Sequence, residues 1–257
     1  CSLLKMGGER LGTYYLETGI GLRSSNVVYD RKYSSFASTP ELPWDFQELL
    51  ADTEVLMLSG ITAALSADWR QWTLDLAKAA KEQGVKVGLD INYRGKLWSV
   101  EECGAFVREV AGYVDYLSAA RLDALNFFKV PEKADGDLSY YYHEIQARYP
   151  NIQLFYATSR EVINANHNRL KGHLYQNGEL YTSGEYDIAY IVDRVGGGDA
   201  YTGGVLHGIL SGFEPQKTVE FATLASAMKH TVAGDHNQFS AEDIEELLRS
   251  GVKEIKR

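Results

Sequence analysis

The chain has 257 residues, 45% of them apolar and 24% charged, and a formal net charge of −9. Those are ordinary globular values, enough for one large α/β domain or one domain with an appendage. The acidic balance argues against a nucleic-acid partner, which needs a basic face, and no apolar run reaches membrane-spanning length, so no membrane partner is expected. In chain order, β-rich stretches at 12–17 and 25–31 flank the turn residues Thr18, Gly19, Ile20 and Gly21, predicting two strands of a small sheet. From residue 54 the pattern alternates. A buried strand is expected at 54–59, then a helix that Ser66 caps and Gly84 ends. A strand at 85–91 precedes Ser99 and Glu102, spaced as a capping box for a helix through about residue 111. A strand at 114–118, helices at 121–128 and 137–148, and a strand at 152–157 follow. Gln176, Asn177 and Gly178 between apolar runs at 170–175 and 179–182 signal a hairpin. Helices fill 199–211, 215–233 and 241–250, and 253–257 reads as a frayed, solvated end. Strands alternating with helices predict an α/β fold with a mostly parallel sheet covered on both faces. Residues 1–36 are expected to carry lid strands and 37–257 the core.

The most informative run is Asp193-Arg194-Val195-Gly196-Gly197-Gly198-Asp199-Ala200-Tyr201-Thr202-Gly203-Gly204. Three glycines let backbone N–H groups crowd together without a Cβ in the way. At a helix N-terminus those donors are unpaired and sit at the positive end of the dipole, which makes an anion site. A carboxylate beside an anion site provides what phosphoryl transfer to a hydroxyl needs: donors for the phosphate charge and a base for the proton. Taken alone, the run reads first as a capped tight turn. The two cysteines, Cys1 and Cys103, have no metal or disulfide spacing, so a cytoplasmic setting is expected. The histidines show no metal-ligand spacing either, and metal ligands stay unknown.

The run resembles the D-T-x-G-A-G-D signature of the ribokinase-like (PfkB) carbohydrate kinases, and Arg194 and Gly197 make it similar to the branch that phosphorylates 2-keto-3-deoxygluconate. The resemblance covers about residues 7–250. It implies a ribokinase-like three-layer α/β/α sandwich with a small β-sheet lid. It implies ATP-dependent phosphorylation of a small sugar acid, most of all 2-keto-3-deoxy-D-gluconate to its 6-phosphate. Mg²⁺ would accompany ATP, held mainly by phosphates and water. Asp199 would be the base, and Gly196, Gly197 and Gly198 the anion hole.

Other segments agree with this resemblance. Asn92 and Arg94 stand in Asp90-Ile91-Asn92-Tyr93-Arg94, where the family's D-x-N-x-R motif lies. That implies contact with the transferred phosphate, and for Arg94 with the substrate too; the residues alone would equally be a strand-end polar cluster. Tyr29 and Arg31, two apart on a strand, share one face. With Tyr15 they match lid positions that hold the substrate acid, although cross-strand packing also accounts for them. Asp235 matches a substrate aspartate by its spacing from Asp199, or else caps a loop. Ser159 and Arg160 match the nucleotide side. Thr223 is placed at the adenine, or is an ordinary packing threonine. The chain departs from the family's K-x-G-x-x-G pattern at 166–172.

Nothing in residues 1–10 supplies the family's Gly-Gly-x-x-x-Asn sugar segment or first core strand, so the sequence is expected to lack an N-terminal part. Pairing of two copies through the lid is also expected. A neutral-sugar or nucleoside kinase of the same family, and a truncated non-catalytic sugar- or nucleotide-binding protein, remain open readings.

Overall fold

A computed structural model describes residues 4–251. The tail at 253–257 lies outside them. The chain divides into two compact units, one of Cys1–Tyr15 and Val27–Phe155, the other of Leu16–Asn26 and Tyr156–Arg257.

Strands β1 (Thr13–Glu17) and β2 (Asn26–Asp30) form the two-stranded sheet that the sequence predicts. Arg10 closes on Asp30 with a bidentate pair at 2.6 and 2.9 Å. The first unit then runs through α1 (Phe46–Leu50), β3 (Val55–Ser59), α2 (Gly60–Ala63), α3 (Ala67–Glu82), β4 (Lys86–Asp90), α4 (Val100–Val110), β5 (Tyr116–Ser118), α5 (Arg121–Asn126) and α6 (Leu138–Arg148). Strands β3, β4 and β5 are parallel neighbours, with Val55 opposite Lys86 and Gly88 opposite Tyr116. Parallel strands covered by helices are apolar on both faces, and Val87, Leu89 and Leu117 are fully buried.

Helix α3 starts where Ser66 accepts the Trp69 N–H at 3.1 Å. Its buried residues Trp69, Thr73, Ala77 and Ala80 recur at helical spacing, and the helix packs on β3 and β4. The predicted capping box of α4 is present, Ser99 and Glu102 each accepting the other's backbone N–H. The buried Asp115 carboxylate is neutralised by Lys81 and Lys86 at 3.0 and 3.1 Å.

The second unit carries most of β6 (Leu154–Asn164), then β7 (His167–Gln176), β8 (Glu179–Thr182), β9 (Tyr186–Ile188), α7 (Gly197–Leu210), α8 (Pro215–Lys229) and α9 (Ala241–Ser250). Strand β7 pairs antiparallel with β8 and β9. Strands β3 to β5 are the parallel part of the expectation, and the antiparallel β7–β8 pair is the hairpin expected around Asn177 and Gly178. Strands β6 and β7 also run far beyond the apolar stretches that announce them. Their polar continuation, including Ser159, Arg160, Glu161 and Arg169, has no hydrophobic period to read. Helix α8 ends at Lys229, four residues short of the expected end. Helix α7 lies so close to α8 that a Cβ on Gly204 would sit 2.5 Å from the Ala222 Cα.

Candidate active site

The glycine run opens α7 as expected, two residues earlier than the sequence suggests. Gly196 is the N-cap residue, at φ 79° and ψ −2°. That left-handed conformation favours glycine, and a Cβ there would overlap the Asp235 carbonyl. Gly197 is buried, and a Cβ on it would lie 2.6 Å from the His230 ring. Its carbonyl accepts the Ser226 hydroxyl at 2.8 Å. Its N–H donates to the Arg194 carbonyl at 3.2 Å. The Gly197 N–H therefore closes a turn at the start of the helix. Gly198 and Asp199 follow in the first helical turn, where N–H groups have no intrahelical acceptor. Both are exposed, and a Cβ on Gly198 would meet nothing within 4 Å.

Asp199 and Asp235 line one cavity of about 370 Å³, with Gly196, His207 and Asn237 also in its wall. The structure thus brings together the expected base, the expected substrate aspartate and the helix N-terminus. Asp193 holds the approach to this turn. Its carboxylate accepts the Val195 N–H at 2.9 Å and the Gly234 N–H at 3.1 Å. Arg194 turns inward, donating to the Asn168 side chain at 2.7 Å and the Asn164 carbonyl at 3.0 Å. Burial, then the nearby Arg160 charge, lowers the Arg194 pKa.

Ser159 and Arg160 are exposed on β6. The Ser159 hydroxyl lies 2.8 Å from His173 Nε2, and burial lowers the His173 pKa, with Lys171 adding to the effect. Thr223 is fully buried and its hydroxyl donates to the Val219 carbonyl at 2.6 Å. It packs α8 close against Gly172 of β7. Thr223 is thus part of the packing between α8 and β7.

In the first unit, Asn92 follows β4 at φ 43°, a left-handed conformation that is uncommon for a non-glycine residue. The Asp90 carboxylate holds it by accepting its N–H at 3.1 Å. Arg94 folds back on this loop, donating to the Tyr93 and Asn92 carbonyls at 3.0 and 3.3 Å. A second cavity, of about 320 Å³, is lined by Gly12, Tyr14, Tyr29, Arg31, Ser34 and Thr62, among others. The Arg31 guanidinium stacks 4.2 Å from the Tyr29 ring centre. Tyr15 is absent from this wall and 63% exposed.

Residues 2–242 match the model of the pfkB family carbohydrate kinases. The chain belongs to that family. A 2-dehydro-3-deoxygalactonokinase of Haloferax volcanii is 30% identical over 250 residues, which cover 96% of this chain and 73% of the relative. A PfkB family carbohydrate kinase from Listeria grayi superimposes with a TM-score of 0.91 at 48% identity, over 95% of this chain and 75% of that one. A 2-dehydro-3-deoxygluconokinase from Thermotoga maritima gives 0.90 at 36%, over 95% and 74%. These matches make the fold ribokinase-like.

Two features of this PfkB kinase escape sequence reasoning. Tyr14 takes the place expected for Tyr15 beside Tyr29, their rings 6.4 Å apart. Strand alternation allows only one of two adjacent tyrosines to face a given side, but which one depends on register. His230 is the other. Its Nδ1 donates to the Ser226 carbonyl at 2.7 Å, which turns the ring under Gly197. Burial lowers its pKa, Arg160, Lys229 and Arg194 lower it further, and the bond to Ser226 opposes them. Its position one residue beyond a helix end carried no signal of this role. Among the described residues no group of three or more His, Cys, Asp and Glu is placed to hold a metal ion, and no helix is long and apolar enough to cross a membrane.

Proposed function

We propose that this kinase transfers the γ-phosphoryl group of ATP to a hydroxyl of a small keto-deoxy sugar acid of the 2-dehydro-3-deoxygluconate class. The observation that carries the reading is Asp199 in one cavity with Asp235, at the N-terminus of α7. Asp199 accepts the proton of the attacking hydroxyl. The Gly198 and Asp199 N–H groups take up charge on the phosphoryl oxygens, helped by the dipole of a 14-residue helix. Asp235 hydrogen-bonds substrate hydroxyls. Asn92, Arg94, Ser159 and Arg160 are our candidates for phosphate and nucleotide contacts. Mg²⁺ would accompany the ATP, held mainly by its phosphates and by water, and would supply charge neutralisation there while Asp199 and Asp235 stay free for the substrate.

The acid class is supported by Arg31. With Tyr14 and Tyr29 it lines a polar-tipped cavity, and a guanidinium matches a carboxylate with its planar fork. The Haloferax and Thermotoga relatives, and a 5-dehydro-2-deoxygluconokinase of Clostridium beijerinckii, are all named for sugar acids of this chemistry.

Asp199→Asn keeps the shape and removes the proton acceptor. Single-turnover phosphorylation should slow by on the order of 10²–10⁴-fold, while ATP affinity stays near its original value. Near-normal turnover in this variant would remove Asp199 from the role and with it the mechanism.

A further inference from the structure

A lysine that is wholly shielded from water needs a reason. Lys229 is 0% exposed and is the last residue of α8, where the negative end of the helix dipole favours a cation. Its Nζ donates to two backbone carbonyls, Asp193 at 3.3 Å and Val232 at 3.4 Å. These carbonyls belong to different loops. One leads into Gly196 and the first turn of α7; the other leads into Asp235. The same two loops are joined a second time by the Asp193 carboxylate, which takes the Val195 and Gly234 N–H groups. A third link comes from the end of α8, where the His230 carbonyl accepts the Val192 N–H at 2.8 Å.

The tolerances around this joint are small. Gly196 abuts the Asp235 carbonyl so closely that no side chain fits, so a shift of either loop moves both. Burial lowers the pKa of the ammonium, while the Asp193 and Asp235 carboxylates favour its charged form. A side chain without a donor in this place would leave the Asp193 and Val232 carbonyls without their buried partner, which is costly.

We propose that Lys229 is a positioning residue, a covalently held cation that locks the 193–197 and 232–235 loops together and so sets the α7 N-terminal donors and Asp235 for the substrate. It is not among the residues that line the Asp199–Asp235 cavity. The consequence for turnover rests on the kinase reading given above; the locking of the loops does not.

The test uses the purified protein with Lys229→Met, which keeps volume and loses charge, and Lys229→Ala, which leaves room for a small amine. Amide hydrogen exchange at Val195 and Gly234 should accelerate in both variants. With the sugar acid and ATP, kcat should fall by on the order of 10²-fold, the scale of an ångström-sized misplacement. Methylammonium should restore both protection and turnover in Lys229→Ala. It should do nothing for Lys229→Met, and tetramethylammonium at the same ionic strength should rescue neither. Unchanged exchange in both variants, or an Ala variant indifferent to methylammonium, overturns the proposal. Should Lys229→Ala not fold by itself, folding promoted by methylammonium supports the proposal, and folding it fails to promote overturns it. If the unmodified protein phosphorylates no sugar acid, the sugar-acid reading fails, and the exchange measurements still decide the role of Lys229.

Discussion

Three consecutive glycines in one turn do three different jobs. Gly196 supplies a left-handed backbone against the Asp235 carbonyl, Gly197 makes room for His230, and Gly198 leaves a helix N-terminus open. Substitutions separate the last two. Gly197→Val would drive a branched side chain into the His230 ring and should destabilise the fold by about 1–3 kcal/mol, the range for overpacking a tight site. Gly198→Ala meets no neighbouring atom within 4 Å, so its midpoint of thermal unfolding should hold or rise. Its added methyl stands among the proposed phosphate donors, where losing one such donor costs roughly 10²–10³ in kcat. Thermal unfolding and single-turnover rates on both variants check this. Full turnover in a stable Gly198→Ala protein would reduce the loop to a tight turn. All three glycines were legible in the sequence as one motif, but their division of labour was not. It depends on His230 and Asp235, more than thirty residues away along the chain.

At the scale of elements, the same reasoning explains how closely α7 and α8 pack. Gly204 faces Ala222, whose Cα would lie 2.5 Å from an added Cβ, whereas Gly203 beside it points into open space. Alanine at these adjacent positions should act in opposite directions. Gly203→Ala removes a helix-interior glycine and should stabilise by up to about 1 kcal/mol. Gly204→Ala should destabilise by about 1–3 kcal/mol, because Ala222 presents backbone that has no rotamer to give. Chemical denaturation of the two variants reads both signs, and equal shifts would contradict the packing described. Elements with a strong local device were found from sequence: the Ser66 cap, the Ser99–Glu102 box and the turn at Asn177 and Gly178. Elements held by pairing were not. Most of the extension of β6 and β7 carries exposed, polar side chains, and its ladder of backbone bonds leaves no trace in residue type. Helices α1 and α2 and strand β9, three to five residues each, are too short to show a period.

For the molecule as a whole, net charge and substrate charge pull apart. A chain of formal charge −9 repels small anions on average, so recognition of a sugar acid must come from a few placed cations. Arg31 and Tyr29 are the candidates the sequence already offered, and the structure adds Tyr14 beside them in one cavity. The register that chose Tyr14 over Tyr15 was beyond the sequence, while the Tyr29 and Arg31 spacing was not. Losing a charge-assisted hydrogen bond costs about 1.5–3 kcal/mol, or roughly one to two decades in affinity. Arg31→Ala should therefore raise KM for 2-keto-3-deoxygluconate by that factor and leave KM for ATP nearly unchanged. Arg31→Lys should recover only part of the loss, because an ammonium keeps the charge without the planar fork. Tyr14→Phe should weaken the acid more than Tyr15→Phe, since Tyr14 lines the cavity and Tyr15 does not. Steady-state kinetics on sugar acids and neutral hexoses in parallel distinguish the readings. A neutral hexose gives Arg31 no carboxylate to meet, so its kinetics should barely respond to either arginine variant. Preference of the unmodified enzyme for a neutral hexose, or acid binding untouched in Arg31→Ala, would overturn the sugar-acid class while leaving the kinase family intact.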